Sequence, residues 1–543
     1  MGHDKDASPY EAFIQGWKSA ATMLAPVAAA LPAAQLGATE PIAQGQVYRP
    51  GWPPAKSFLP GDAFRLLPPY LGTTVQGPVS FTSRCNRTTH VTAAPAAGGV
   101  NVTFTVAPAP GIVILCEDLY ALGSPQGLDI VSVLTHGTSV HFVPLKSQVD
   151  QQWYSTFGVR VFGFLDDAVT TIGELITTAA LYVPSETEGP ALSPSTEPRL
   201  VAFLRDYVHN DLTPRGVNGQ GINVTINPDE VVSGSTMIVL RLQGNACLEG
   251  FGTGAHSDHF VMAIRAQNGS LYVVESTDKT SYWPDHNVQV HDWDTWMSMA
   301  AAADYNLLLL PPSDATLAAF NHTAAWEYID SMTGKPYGYH NFIFGFLDGD
   351  KTQNPKDLNY IAKNLPYPAS WQLFEAVFQE VGNLAPAIAE KMWGLALGMR
   401  LGEGALTPTN ASVLAWQRLG MHFGGLIGVP EQDDWVYPDG PARVCDSYVC
   451  SIYKAAGVFE ALGVSDIQCT EMHNKDVYRL ALFNTTASAR PAACQQADPG
   501  LPYCQLMGRW TVTLTDVNSQ APYSSMDQYC AGLPPYFERA AGC

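Results

Sequence analysis

Six of the ten cysteines in this chain fall after position 449, in a stretch rich in proline and glycine. Cysteines gathered in this way are the pattern of a disulfide-stapled module, and disulfides persist only in oxidising compartments. Cys450, Cys469, Cys494, Cys504, Cys530 and Cys543 are therefore expected to form three mostly local bridges. Cys85 and Cys116 lie at the two ends of a β-rich stretch and are expected to staple it.

Sequons point to the same compartment. Asn86, Asn101, Asn223, Asn268, Asn321, Asn410 and Asn484 each open an Asn-X-Ser/Thr triplet, where chance gives roughly two or three. Their spread predicts that every domain faces a lumen. The expected location is thus the secretory pathway: extracellular, cell-surface, or the lumen of a lysosome or vacuole. The apolar stretch from Ala20 to Ala34 is broken by Pro26 and Pro32 and reads as an Ala/Pro-rich arm, not a secretory leader. No transmembrane segment is expected.

The formal charge of −21 and the lack of any basic run exclude nucleic acid and anionic membrane surfaces as partners. At 543 residues the chain exceeds one ordinary core, so several domains are expected. Residues 1–45 read as an N-terminal arm. Short β-rich runs punctuated by glycine and proline follow, at Gly77–Thr82, Gly99–Val106 and Gly111–Leu115, with helical periodicity at Leu165–Leu181 and Pro198–Val208. These define a β-rich N-terminal domain with helices, 46–230. Strands are expected at Met237–Leu242, His259–Ala266 and Leu271–Glu275, the last two joined by the turn Gln267–Ser270. Helices are expected at Trp326–Met332, Trp371–Leu401, Val413–Gly420 and Cys445–Phe459. The remaining segment, 466–543, is the cystine-rich module.

Cys445 stands at the start of the last of these helices, where Val449, Ile452, Tyr453 and Ala456 recur at helical spacing. Unpaired N–H groups and the helix dipole favour a thiolate there, although Asp446 works against it. Cys450 is an unsuitable disulfide partner: along a helix the two Cα atoms lie roughly 8.6 Å apart and about 140° around the axis. Upstream, His259 opens one strand candidate and Glu275 closes the next. Cysteine as nucleophile, histidine as base and a polar group orienting the histidine form a cysteine-hydrolase set. His256 is the alternative base. A metal site on these histidines is not expected, because no zinc-like spacing of Cys and His supports it.

The order of these pieces resembles the circularly permuted papain-like hydrolases, the NlpC-type enzymes and their lecithin:retinol acyltransferase-like relatives. The residues that carry the resemblance are Ser233–Leu240, Ser257–Ile264, Tyr272–Ser276 and Arg443–Tyr453, with Pro336–Phe342 similar to a groove-lining motif. Ser235 stands where the family usually has Asp, and an Asp is inserted between Ser257 and His259. The resemblance implies an α+β fold over 231–465: an antiparallel sheet and a nucleophile helix, with a helical insertion at 355–430. It implies Cys445 as nucleophile, His259 as base, Glu275 as orienting acid and a substrate groove with Tyr337, Tyr339 and Asn341. The substrate would be a peptide, small-molecule or lipid-like amide or ester, attacked through a thioester without a cofactor. Acyl transfer to an acceptor other than water would use the same residues. If Cys445 is withheld for chemistry, Cys247 becomes the expected second thiol. The rival expectation is a non-catalytic binding or structural glycoprotein that keeps the scaffold.

Overall fold

The computed structural model describes residues 68, 70–108, 116–135, 137–164, 171, 196–278, 280, 282–347, 367–384, 386–420, 422–423, 426, 439–464 and 467–522. Expectations for residues 1–45, Gly111–Leu115, most of Leu165–Leu181, and Cys530 and Cys543 lie outside these residues.

Alternating valines and aromatics build an N-terminal pair of antiparallel sheets. One has the order β1 (Tyr70–Thr73), β8 (Arg160–Gly163), β5 (Glu117–Ser124), β6 (Gly127–Leu134); the other has β2 (Val79–Phe81), β3 (Asn86–Ala96), β4 (Gly99–Pro108), β7 (Gly137–Pro144). Val91, Val102 and Phe104 from the second sheet pack against Tyr120, Leu122, Val131 and Val161 from the first, so one core lies between two sheets. The Cys85–Cys116 disulfide ties the start of β3 to the start of β5.

After the short β9 (Thr213–Pro214), a six-stranded antiparallel sheet carries the rest of the fold. Its order is β13 (Asn287–Asp292), β12 (Leu271–Thr277), β11 (His259–Arg265), β10 (Ser235–Leu240), β14 (Asn306–Leu310), β15 (Cys504–Met507). These strands are apolar on both faces because both are covered. Ile238, Phe260, Met262, Ile264 and Val274 pack against the Cys445–Ala455 helix. Val239, Val261, Ala263 and Val273 pack against a tryptophan-rich layer of Trp283, Trp293 and Trp296. The fold is thus mixed α+β with antiparallel sheets and, among the described residues, three disulfides.

Two segments sit elsewhere than their place in the chain suggests. The tail contributes β15, paired to β14, while β16 (Trp510–Thr511) pairs with β9. Tyr478, Leu482, Tyr503 and Val512 fill the same core as the Cys445 helix. The tail is therefore integrated into the central sheet through residue 522 and does not form a separate module there. The helical segment after residue 366 lies against the N-terminal sheets, not the central one. The carboxylate of Glu375, on the Tyr367–Leu384 helix, pairs with Arg160 at 2.6 Å and accepts from Trp153 at 2.9 Å. Glu380 on the same helix accepts from the Leu128 amide at 3.0 Å.

Cys450 bridges Cys469 and Cys494 bridges Cys504, while Cys445 and Cys247 are buried thiols. One of the sequon asparagines stands apart from the others in the folded chain. Asn86 is 0 % exposed and its amide nitrogen, the atom a glycan would occupy, donates to Asp118 at 2.8 Å. Asn223, Asn268 and Asn321 are exposed, and Asn101, Asn410 and Asn484 are half-buried.

Candidate active site

Strands β11 and β12 run antiparallel with Val261 opposite Glu275, the last pair of their ladder. Strand alternation puts His259 and Glu275 on the same face. There His259 Nε2 and Glu275 Oε2 are 2.9 Å apart. The other carboxylate oxygen accepts from Trp283 Nε1 at 3.1 Å and from Gln289 Nε2 at 2.9 Å. Glu275 is 0 % exposed, held by three partners beneath the tryptophan layer. Its bond to Nε2 leaves Nδ1 as the ring nitrogen of His259 available for proton transfer.

Cys445 is the first residue of its helix, after Val444 in extended conformation. The entry to that helix is fixed from two sides. The Arg443 carbonyl accepts from Ser276 Oγ at 2.7 Å and from the Gly338 amide at 3.0 Å. Gly338 is needed for this approach, since a Cβ there would come within 2.5 Å of the Arg443 backbone. Asn341 then caps the helix: its Oδ1 accepts from the Val444 amide at 3.3 Å and lies 3.4 Å from Ser447 Oγ. Only the oxygen of that side chain can accept from an N–H, so Nδ2 is the remaining atom. It is buried without a partner in a residue 1 % exposed.

The sulfur of Cys445 lies 4.0 Å from Tyr337 Oη and 3.8 Å from Asn474 Oδ1, and it receives the backbone N–H of Phe260. Asn474 is itself tied to the Ser257 carbonyl at 3.3 Å. The thiol thus touches the strand at the residue next to His259, where the β11–β12 ladder has ended. The helix covers the face that carries Phe260 and Met262, whereas His259 and Glu275 belong to the opposite face. The two halves of the expected set therefore lie on opposite faces of one strand pair, near its open end. Within the described residues, His259 bonds to Glu275 and not to the thiol.

The electrostatics correct one expectation. Burial pushes the Cys445 thiol well above its ordinary value, and the Asp446 and Glu249 carboxyls push it further. The Phe260 N–H and the Tyr337 hydroxyl act in the other direction without offsetting them. The helix N-terminus does not produce a resting thiolate, because desolvation and two acids outweigh the dipole. Those acids feel the same burial: Asp446 is pushed up to about 7, and Glu249 is raised well above the carboxylate range. Asp258, held by the Arg241 amide at 2.9 Å and by Gln243 at 2.9 Å, is pushed up to about 6 by burial.

His256 is turned away from this centre. Its Nδ1 lies 2.6 Å from the Thr513 carbonyl and its amide donates to Tyr478 Oη at 3.3 Å. Of the groove residues, Tyr337 has its hydroxyl at the thiol. Tyr339 is buried, with its ring centroid 5.0 Å from that of Tyr337, and props it rather than lining an open surface. Sequence reasoning did not find Trp283, Gln289 or Asn474. Gln289 had a signal, being polar at an alternate position of Asn287-Val-Gln-Val-His; the other two reach the site from a loop and from the tail. No family model, curated protein or solved structure matches the chain.

Proposed function

We propose that this chain is a cysteine hydrolase of permuted papain-like arrangement, acting on an amide or ester through a thioester. The observation that carries the reading is the His259–Glu275 pair at the start of β11, one residue from the amide that contacts a free thiol at a helix N-terminus. A buried carboxylate fixing one imidazole nitrogen leaves the other as general base. Because the thiol rests protonated, His259 removes its proton as sulfur attacks the carbonyl carbon, so activation is by general base. The carbonyl oxygen becomes an oxyanion facing the first-turn amides, with Asn341 Nδ2 as a further donor. Collapse expels the amine or alcohol, which takes the proton from His259. Water, deprotonated by the same imidazole, then cleaves the thioester. A secretory location fits the disulfides and the exposed sequons, and no helix among the described residues is long and apolar enough to cross a membrane.

A second reading is favoured by one observation. The imidazole bonds to Glu275 and the thiol is buried and protonated, as in a scaffold kept for binding without turnover. Incubation of the native, unreduced protein with iodoacetamide and with p-nitrophenyl acetate separates the two. The hydrolase reading expects alkylation at Cys445 and release of p-nitrophenol that Cys445→Ala abolishes. A wild-type Cys445 inert to both reagents leaves the binding reading.

A further inference from the structure

Strand β7 closes one edge of the second N-terminal sheet, and it exposes two large apolar side chains. Val140 is 57 % exposed and Phe142 is 51 % exposed. Gly137–Pro144 contains no Asp, Glu, Lys or Arg, so this edge lacks the charges that keep another chain from pairing with it. Directly opposite Phe142 in the ladder stands Asn101 of β4, the first residue of the triplet Asn101-Val102-Thr103. Val100, Val102 and Phe104 are buried, so alternation turns Asn101 and Thr103 to the outer face with Val140 and Phe142. Residues opposite one another on a sheet have Cβ atoms about 5 Å apart. The Asn101 side chain thus emerges beside the Phe142 ring. Across the β3–β4 ladder Asn101 faces Ala94, which is exposed and too short to crowd it. The ring itself leans along β4 over Gly99, where a Cβ would come within 2.7 Å of its tip. It is held down on the sheet and is still half exposed.

We propose that the N-glycan at Asn101 is a structural part of this sheet: its first N-acetylglucosamine packs on Phe142 and covers the β7 edge. This rests on the secretory reading of the chain. The C–H groups on one side of a pyranose ring are apolar and slightly positive, while the face of an aromatic ring is negative. The two therefore stack much as aromatic pairs do. Attachment to Asn101 holds the sugar beside the ring at high effective concentration, so a weak contact suffices. Thr92, Ala94 and Thr103, the neighbours on this face, carry no charge that an ionic partner could use. A second copy of the chain docking on β7 would have to displace a sugar carried by the adjacent strand.

The test uses the full-length chain from a secretory host that leaves its glycans rich in mannose, as wild type, Phe142→Thr and Phe142→Tyr. Endoglycosidase H, which cuts between the first two sugars, is applied to the folded protein. Cleavage at each sequon is followed by glycopeptide mass spectrometry. With the first sugar held on the ring, cleavage at Asn101 should be about two- to tenfold slower in wild type than in Phe142→Thr. Phe142→Tyr keeps the ring and should keep the slow rate. Cleavage at Asn268, in the turn between β11 and β12, should be the same in all three proteins and serves as the reference. Equal rates at Asn101 in wild type and Phe142→Thr overturn the proposal. Faster cleavage in the threonine variant together with lost hydrogen-exchange protection of the β7 amides traces to a frayed strand and overturns it too. Site occupancy keeps the failures distinct. Glycan at Asn223, Asn268 and Asn321 with Asn101 bare rejects this inference alone. A chain with every sequon bare rejects the secretory reading with it.

Discussion

His259 Nε2 and Glu275 Oε2 lie 2.9 Å apart just beyond the last rung of the β11–β12 ladder, and the other carboxylate oxygen accepts from Trp283 and Gln289. The arrangement has no slack. Glu275→Gln keeps the shape but offers one acceptor oxygen to groups that need two. One buried donor is left unpaired, which costs about 1–3 kcal/mol. The ring of His259 loses part of the contact that holds it in place. Turnover of p-nitrophenyl acetate should fall on the order of 10²-fold, with the stability loss read from urea unfolding. Unchanged turnover would remove Glu275 from the mechanism.

Gly338 is the contact point between the Tyr337 segment and the approach to Cys445. In Gly338→Ala the methyl group meets backbone, which cannot step aside as a side chain can. The Arg443 carbonyl loses one of its two donors, and the helix start shifts away from Tyr337. A destabilisation of about 1–3 kcal/mol is expected, together with an altered rate of Cys445 alkylation. Wild-type stability and alkylation in the alanine variant would show that the close approach is not required.

How much of this was legible in the sequence depends on how local each feature is. Strands β10 to β12 and the Cys445 helix announce themselves, because continuous apolar runs and a 3.6-residue period are properties of neighbouring residues. The Cys445 helix is shorter than expected, since Gly457 adopts a left-handed φ of 77° and starts the next short helix. The pairing of Cys450 with a residue other than Cys445 was also readable, because helical geometry forbids the nearer bond. Nothing local says that Glu375 seeks Arg160, 215 residues away, or that Cys504 begins an edge strand of the central sheet. The thiol's raised proton affinity was hidden for the same reason. Asp446 is adjacent in sequence, but the burial that dominates, and Glu249 from another helix, belong to the packed structure.

Glycopeptide mapping offers a test of the fold around β3. In protein from a secretory host, exposed Asn223, Asn268 and Asn321 should carry glycan, whereas Asn86 should not. Its amide lies on Asp118, beside the Cys85–Cys116 disulfide, and a glycan on that nitrogen would break the bond. A glycan found at Asn86 would mean that β3 begins differently from the arrangement described.

Asp446 gives a pH-dependent prediction whose sign is unusual for an aspartate. Its folded value, about 7, lies above the ordinary 3.8 of the unfolded chain. The folded state therefore binds the proton more tightly. The stabilisation is complete below the unfolded value and is lost as pH rises through the folded one. Asp446→Asn removes the ionisation altogether, so the difference between variant and wild type isolates it from the other titrating groups. On going from about pH 4 to about pH 8 the variant should gain on the wild type by up to about 4 kcal/mol. A constant difference across that range would mean that Asp446 is ionised in the folded protein throughout.

The segment after residue 366 rests on the N-terminal sheets through a nearly dry ion pair. Arg160 and Glu375 are each 2 % exposed, and Arg160 also lies 4.6 Å over the Trp153 ring. Glu375 further accepts from Trp153 and Ser412. Removing one partner strands the other charge away from water, a loss of about 3–5 kcal/mol, whereas an apolar replacement of both is often close to neutral. Glu375→Ala should therefore be much more damaging than Arg160→Met combined with Glu375→Leu, as judged by thermal unfolding. The site at Cys445 lies on a different sheet, so alkylation of Cys445 in the double variant should keep its wild-type rate. If the double variant also loses that reactivity, the N-terminal sheets and the helices after residue 366 do more than support each other: they help hold the end of β11 where His259 meets Glu275.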